Sequence, residues 1–356
     1  MSKNIVICCD GTSNEFGRKN SNVVHLQSAL VREPGVQEVF YQPGLGTAGE
    51  IDWAPLVGRV FRKMKDIAAL GFGYGLLHNV ANCYRFLMEH YDAGDRVYVF
   101  GFSRGAYTAR ALCGMIQMFG IFDRGNDVSV DYAIELFKRK KAQKNDEAWE
   151  IAGRLKRDLG RPCKPHFVGV WDTVASVGHI WDPLDLPFTH KSKDVLVARH
   201  ALAIDEKRIM FRPNLWATDG GPKDLKQVWF TGAHSDIGGG LGESNASLAK
   251  LSLAWMFREA EAHGLMVNPK RRDRVCGDPP DYPKPDPLGA INPSLKGIWW
   301  AIEYAVPRFA FNLRTGKKSV TFGRGSRRII ADGSTLHASV VNRLASKAHN
   351  YAPANI

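Results

Sequence analysis

The chain has 356 residues, 44% hydrophobic and 24% charged, which is enough to bury a core unaided and too apolar for intrinsic disorder. No run of 18 apolar residues occurs, which argues against a spanning helix, and Met1-Ser2-Lys3-Asn4 lacks the charged-then-apolar plan of a secretory signal, so a cytoplasmic location is expected. The formal charge of +12 favours anionic partners, although a solvated basic surface gives the same number. None of the six cysteines (Cys8, Cys9, Cys83, Cys113, Cys163 and Cys276) forms a C-x-x-C pair, so zinc ribbons and thioredoxin-type sites lose their signature and a reducing compartment fits.

In chain order, short apolar runs at 5–9, 39–41, 96–100, 166–171 and 227–230 read as strands covered on both faces. Helical patterns at 64–91, 105–118, 192–204 and 246–263 separate them. This alternation predicts one α/β domain over residues 1–356. It is α/β-hydrolase-like, with a mostly parallel central sheet flanked by helices and carrying helical insertions. Residues 121–162, with Lys138-Arg139-Lys140-Lys141, are charged and helix-prone and read as an insertion. Residues 268–325 read as an irregular, cap-like region, rich in proline and basic residues up to 296 and aromatic from 298 to 311. Trp299 and Trp300 are its candidate substrate-binding side chains; core packing is the plainer reading.

The most informative segment is Gly101-Phe102-Ser103-Arg104-Gly105, a G-x-S-x-G motif between a strand and a helical stretch. That context predicts a nucleophile elbow: a tight turn strains the serine backbone, exposes its hydroxyl and aims helix N–H groups at a developing oxyanion. A serine needs a base and an orienting acid. In this architecture they follow in the order Ser, acid, His, each just past a strand. Ser103, Asp172 and His234 meet that demand. His337 is the rival base, and Asp205 and Asp236 are rival acids. The Arg104 N–H is one oxyanion donor. Gly11 or Thr12, leaving the first strand, supplies the second unless that turn is merely capped.

Taken together, Asp10-Gly11-Thr12-Ser13-Asn14, Gly101-Phe102-Ser103-Arg104-Gly105-Ala106, Gly169-Val170-Trp171-Asp172-Thr173-Val174, Ala201 to Arg208, Gly232 to Gly240, and the late His337-Ala338-Ser339-Val340 with Tyr351-Ala352-Pro353 carry a resemblance. The chain resembles the uncharacterised α/β-hydrolase domain family that includes the first family of type VI secretion lipase effectors. The resemblance implies a Ser-Asp-His hydrolase with Ser103 as nucleophile, Asp172 as acid and His234 as base, and phospholipase A activity in the effector members. It also implies export by a machine that needs no signal peptide.

The expected activity is therefore carboxylic-ester hydrolysis, of lipids or phospholipids, through an acyl-enzyme, without metal or organic cofactor. Contact with an anionic membrane surface is expected, with Lys270, Arg271, Arg272, Arg314, Lys317 and Lys318 as candidate headgroup cations. Two other readings compete. Asp10-Gly11-Thr12 superficially resembles the first motif of haloacid-dehalogenase-type phosphatases, but their nucleophilic aspartate is Cys8 here. A non-catalytic, basic membrane-binding module also fits the charge. No nucleic-acid motif is present and no nucleic-acid partner is expected.

Overall fold

The sheet is built from strands whose side chains alternate between two cores. In a computed structural model, which describes residues 2–11, 17, 19–44, 73–138, 146–174, 178–179, 182–183, 186–305, 308–311, 318–346 and 350–356, Ile5, Ile7 and Cys9 face one apolar cluster. Val6 and Cys8 face the other. That period of two, with both faces buried, is why these runs carry almost no polar residues.

Seven strands form the sheet: β1 (Asn4–Cys9), β2 (Gln37–Gln42), β3 (Arg96–Phe102), β4 (Phe167–Trp171), β5 (Val197–Ala203), β6 (Asp224–Phe230) and β7 (Thr335–Leu336). Their order is 2-1-3-4-5-6-7 and every pairing is parallel. The winding direction reverses between β1 and β3, and loops beyond the carboxyl ends of strands at such a point open a crevice. On one face lie α2 (Gly73–His90) and α3 (Arg104–Phe119). The other face carries α1 (Asn22–Ala29), α7 (Ser247–Glu261) and α8 (Pro269–Gly277). The result is an α/β fold of three layers.

Residues 121–162 form α4 (Asp127–Lys138) and α5 (Asp146–Asp158), whose buried faces, with Val130, Phe137 and Ala152, join the apolar cluster of α2 and α3. A two-residue antiparallel pair, Ile121 with Arg161 and Phe122 with Gly160, closes the base of this excursion. Further α-helices among the described residues are α6 (His234–Gly238), α9 (Ile298–Ala305) and α10 (Ala338–Ala345), and an antiparallel pair joins Arg308–Phe311 to Lys318–Thr321. Among the described residues no helix is long and apolar enough to cross a membrane.

Two expectations need correction. The stretch 192–204, expected to be helical, holds β5, every residue of which is buried. Its Val-Ala-Arg-His-Ala-Leu-Ala sequence has helix-forming alanines, but small side chains also suit a strand pressed between two neighbours, and tertiary packing overrides propensity. The region from 268 is also less irregular than expected: α8 begins at Pro269, and the Asn268 side chain caps it by accepting from the Arg271 N–H at 3.1 Å. Of the expected helix 64–91, residues 64–72 lie outside the described residues, as do Arg139-Lys140-Lys141, Thr12, Arg314 and Lys317.

Candidate active site

Register brings four segments to one edge of the sheet. Gly101 pairs with Cys9 and with Val170, Phe102 with Trp171, Trp171 with Ala201, and Ala203 with Phe230. Residues following these positions therefore emerge in one row: Asp10, Ser103, Asp172 and the turn before His234. The row is sewn together by backbone bonds, since Ser103 N donates to Trp171 O at 3.0 Å and Asp172 N donates to Ala201 O at 2.8 Å.

Ser103 sits at φ 58° and ψ −120°, a backbone region that L-residues occupy only under constraint. The constraint is contact. A Cβ on Gly101 would lie 2.5 Å from Gly105 O, and one on Gly105 would lie 2.3 Å from Cys9 O and 2.4 Å from Asp10 O. Glycine at both positions lets α3 start directly against β1. The Ser103 hydroxyl makes no capping bond to its own helix, and α3 begins at the next residue, Arg104.

Asp172 and His234 meet directly. His234 Nδ1 lies 2.6 Å from Asp172 Oδ2, with both side chains buried. This leaves Nε2 as the basic nitrogen. The imidazole is held between two rings, Phe102 at 4.7 Å and Phe211 at 4.9 Å between centroids. Ser103 is thus one residue from a side chain packed on the imidazole, but among the described residues no hydrogen bond joins its hydroxyl to His234. Burial pulls the His234 imidazole below its ordinary value, against the opposing pull of Asp172.

Two further groups were not legible in the sequence. Arg328, from the segment before β7, grips Asp172 with both terminal nitrogens: Nη1 to Oδ1 at 2.5 Å and Nη2 to Oδ2 at 2.9 Å. Ala203 N adds a bond to Oδ1 at 3.0 Å. Burial alone would push the Asp172 carboxyl up; the Arg328 guanidinium and the His234 bond override it and hold the group well below the usual carboxylate range. Glu206 is the second. Its Oε2 accepts the His234 backbone N–H at 3.2 Å, and Arg208 pairs with it through two 2.9 Å bonds. Position along the chain gives no hint of Arg328, whereas Glu206 lies inside the Ala201–Arg208 stretch already singled out.

The rival residues hold structure. Asp205 accepts from Gly232 N at 2.9 Å, Tyr351 OH at 2.8 Å and Arg327 at 3.1 Å. Asp236 accepts from Ala233 N at 2.9 Å and from Asn292 N and Nδ2 at 3.0 and 2.7 Å, closing the start of α6. Burial pushes its pKa up to about 6. His337 caps α10, accepting from Ser339 N at 3.2 Å, and stacks on Phe230 at 4.4 Å. The Gly11 N–H donates to Asp10 Oδ1 at 2.7 Å, the capped turn weighed above. Asp10 also accepts from Ser21 and Tyr41 hydroxyls at 2.7 and 2.9 Å.

Trp299 packs on Phe211 at 5.5 Å, and Arg208 lies over both rings, so this tryptophan reaches the wall of the histidine. Trp300 is exposed and stacks on Tyr304. Lys270, Arg271 and Arg272 ride on α8, with Arg272 paired to Glu261 at 2.9 Å. Cys8, at the position of a phosphatase nucleophile, is fully buried in β1, and burial pushes its thiol up, so it cannot serve as one. Among the described residues no group of three or more His, Cys, Asp or Glu side chains could hold a metal ion.

The fold is therefore α/β-hydrolase-like, with a strained serine elbow and a buried acid–imidazole pair at the carboxyl edge of its sheet. Residues 3–259 match the family described as the type VI secretion phospholipase effector Tle1-like catalytic domain, and the chain belongs to that family. It is 34% identical over 220 residues to the uncharacterized protein YEL023C of Saccharomyces cerevisiae, a match covering 59% of this chain and 32% of that protein. The chain thus spans about a third of that relative. Two solved structures are similar at a distance. One is an uncharacterized Pseudomonas aeruginosa protein (TM-score 0.43, 18% identity, 76% of this chain and 47% of that one). The other is the Tle1 effector bound to the VgrG spike of the type 6 secretion system (TM-score 0.37, 19% identity, 70% and 53%).

Proposed function

We propose that the protein is a serine hydrolase that cleaves carboxylic-ester bonds of lipids, with phospholipids as the leading substrates. The observation that carries this reading is the buried His234–Asp172 hydrogen bond beside the strained Ser103 turn. Ser103 Oγ attacks the ester carbonyl while His234 Nε2 takes its proton. The Arg104 N–H receives the oxyanion. His234 then returns the proton to the departing alkoxide, and water repeats the cycle on the acyl-enzyme. Asp172 stays ionised throughout and stabilises the imidazolium.

Membership of a phospholipase effector family supports the lipid substrate. The apolar Phe211–Trp299 wall against His234 supports an acyl chain lying there. Exposed Trp300, Tyr304, Phe322 and Ile329 support contact with a lipid surface. The family also supports export as an effector through a route that needs no signal peptide.

The test is turnover of short- and long-acyl esters by the wild type and Ser103→Ala, with fluorophosphonate labelling mapped by mass spectrometry. Labelling at Ser103 and a loss of ~10⁶ in kcat in the variant are expected. Unaltered turnover by folded Ser103→Ala removes the proposal.

A further inference from the structure

We propose that Arg328 is the positioning residue of the site: its guanidinium fork fixes Asp172 so that the carboxylate presents Oδ2 to His234. This rests on the Ser103–His234–Asp172 reading above and adds a residue from outside the family-matched stretch 3–259.

The geometry is that of a clamp. Two parallel N–H···O bonds define the carboxylate plane, which a single donor cannot do. The clamp is itself fixed. Arg328 Nη1 also donates to Ala203 O at 3.0 Å, and Nη2 donates to Phe211 O. Its own carbonyl accepts from Asn355 Nδ2 at 3.0 Å, and the same amide reaches Ile204 O at 3.1 Å. Arg328 therefore ties β5, the Phe211 ring that packs on His234 and the chain's last residues to one oxygen pair. Asp172 needs such a tie, because its backbone sits at φ 41°, a region a non-glycine residue holds only when its surroundings enforce it.

Charge strengthens the case. Besides Arg328 and His234, the charged or titratable groups acting on this pair are Glu206, Arg208 and His200, with Arg110 behind His200. Glu206 is already matched by Arg208, and burial holds His200 neutral, with its pKa down to about 3. Arg328 is thus the direct counter-charge of Asp172. Arginine stays protonated at any working pH, so Asp172 cannot take the imidazole proton. Without Arg328 the carboxylate's negative charge falls on His234 alone. The imidazole then holds its proton to higher pH.

The experiment measures kcat and KM against pH on a soluble short-chain ester for the wild type, Arg328→Met and Arg328→Lys, with thermal unfolding of each. Ser103→Ala and fluorophosphonate labelling run beside them. Arg328→Met is expected to lose about 10²-fold in kcat at little change in KM, less than the ~10⁴-fold that follows loss of triad-acid function. Its acid limb should move up by about one pH unit. Arg328→Lys keeps the charge and loses the fork, so its limb should stay near the wild-type position while kcat falls. Folded Arg328→Met with wild-type kcat overturns the proposal. So does a loss that tracks only the folded fraction with no movement of the limb. Should Arg328→Met fail to fold, Arg328→Lys decides: wild-type kcat overturns the clamp. Full turnover by Ser103→Ala would instead defeat the triad reading, whatever Arg328 does.

Discussion

Replacing Asp172 by asparagine keeps its size and changes one atom from acceptor to donor. Asp172 is fully buried and accepts four hydrogen bonds: from Ala203 N, from both Arg328 nitrogens and from His234 Nδ1. An amide oxygen at Oδ1 keeps the Ala203 and Nη1 bonds. The new NH₂ then faces two donors, Arg328 Nη2 and His234 Nδ1–H. Two charge-assisted bonds are lost, at about 1.5–3 kcal/mol each, and the guanidinium is left without its buried counter-charge. Breaking such a pair costs about 3–5 kcal/mol, so the two routes agree on a destabilisation near 4 kcal/mol. The imidazole relieves the clash by moving its proton to Nε2, which is the wrong tautomer for accepting from Ser103. That costs ~10⁴ in kcat, or about 5.4 kcal/mol at the transition state. Urea unfolding measures the first quantity, and ester turnover corrected for folded fraction measures the second. An Asp172→Asn protein within 1 kcal/mol of wild type and within tenfold in kcat would refute the reasoning, because neither the clamp nor the tautomer would then matter.

Three other expectations follow from the same coordinates. Gly105→Ala should lose about 1–3 kcal/mol, read as a lowered Tm, because its Cβ would meet the Cys9 and Asp10 carbonyls, which are backbone and cannot swing aside. Trp299→Ala should raise KM for long-acyl esters while leaving short ones nearly unchanged, since it packs on the Phe211 wall rather than on His234 itself; equal effects on both lengths would contradict an acyl-chain role. Burial lowers His25, His166, His200, His234 and His337, the most extreme being His200 at about 3. Below the unfolded value of about 6.5 the unfolded chain binds protons that the folded chain refuses, so stability falls as pH drops from there; for His200 the fall continues toward 3, by up to ~1.4 kcal/mol per pH unit. Denaturant titrations at pH 7 and 5 should show the fall, and His200→Gln should flatten it.

How much of this was legible in the sequence depended on how local each signal was. Ser103 was readable because a tight strand–helix turn demands glycine two places either side, and that demand is written within five residues. The placement of Asp172 and His234 at one sheet edge was readable because both follow strands with clear apolar runs. The strand β5 was not readable, since Val197–Ala203 uses small residues that also suit a helix and only its two neighbours make it extended. Arg328 was unreadable for a different reason. An arginine 156 positions from its carboxylate has no period, spacing or flanking strand to mark it, and the chain holds 48 lysines and arginines of which any could have been the partner. The Gly11 turn shows the converse: its sequence offered a donor, but the adjacent carboxylate takes that donor first.

The small pair at Ile121–Phe122 and Gly160–Arg161 has a bearing on how this protein can diversify. It buttons the two ends of the α4–α5 excursion together at its root, and Arg161 pins the button to Met88, Tyr91 and Phe122 carbonyls. Length added beyond a closed stem costs only about 0.6 kcal/mol per doubling and exerts no pull on the serine-bearing helix α3. The excursion is therefore a place where an extra module can be grafted while the chemistry at the far edge of the sheet goes on unchanged; its helices themselves must stay, because Val130, Phe137 and Ala152 belong to the apolar cluster that covers α3.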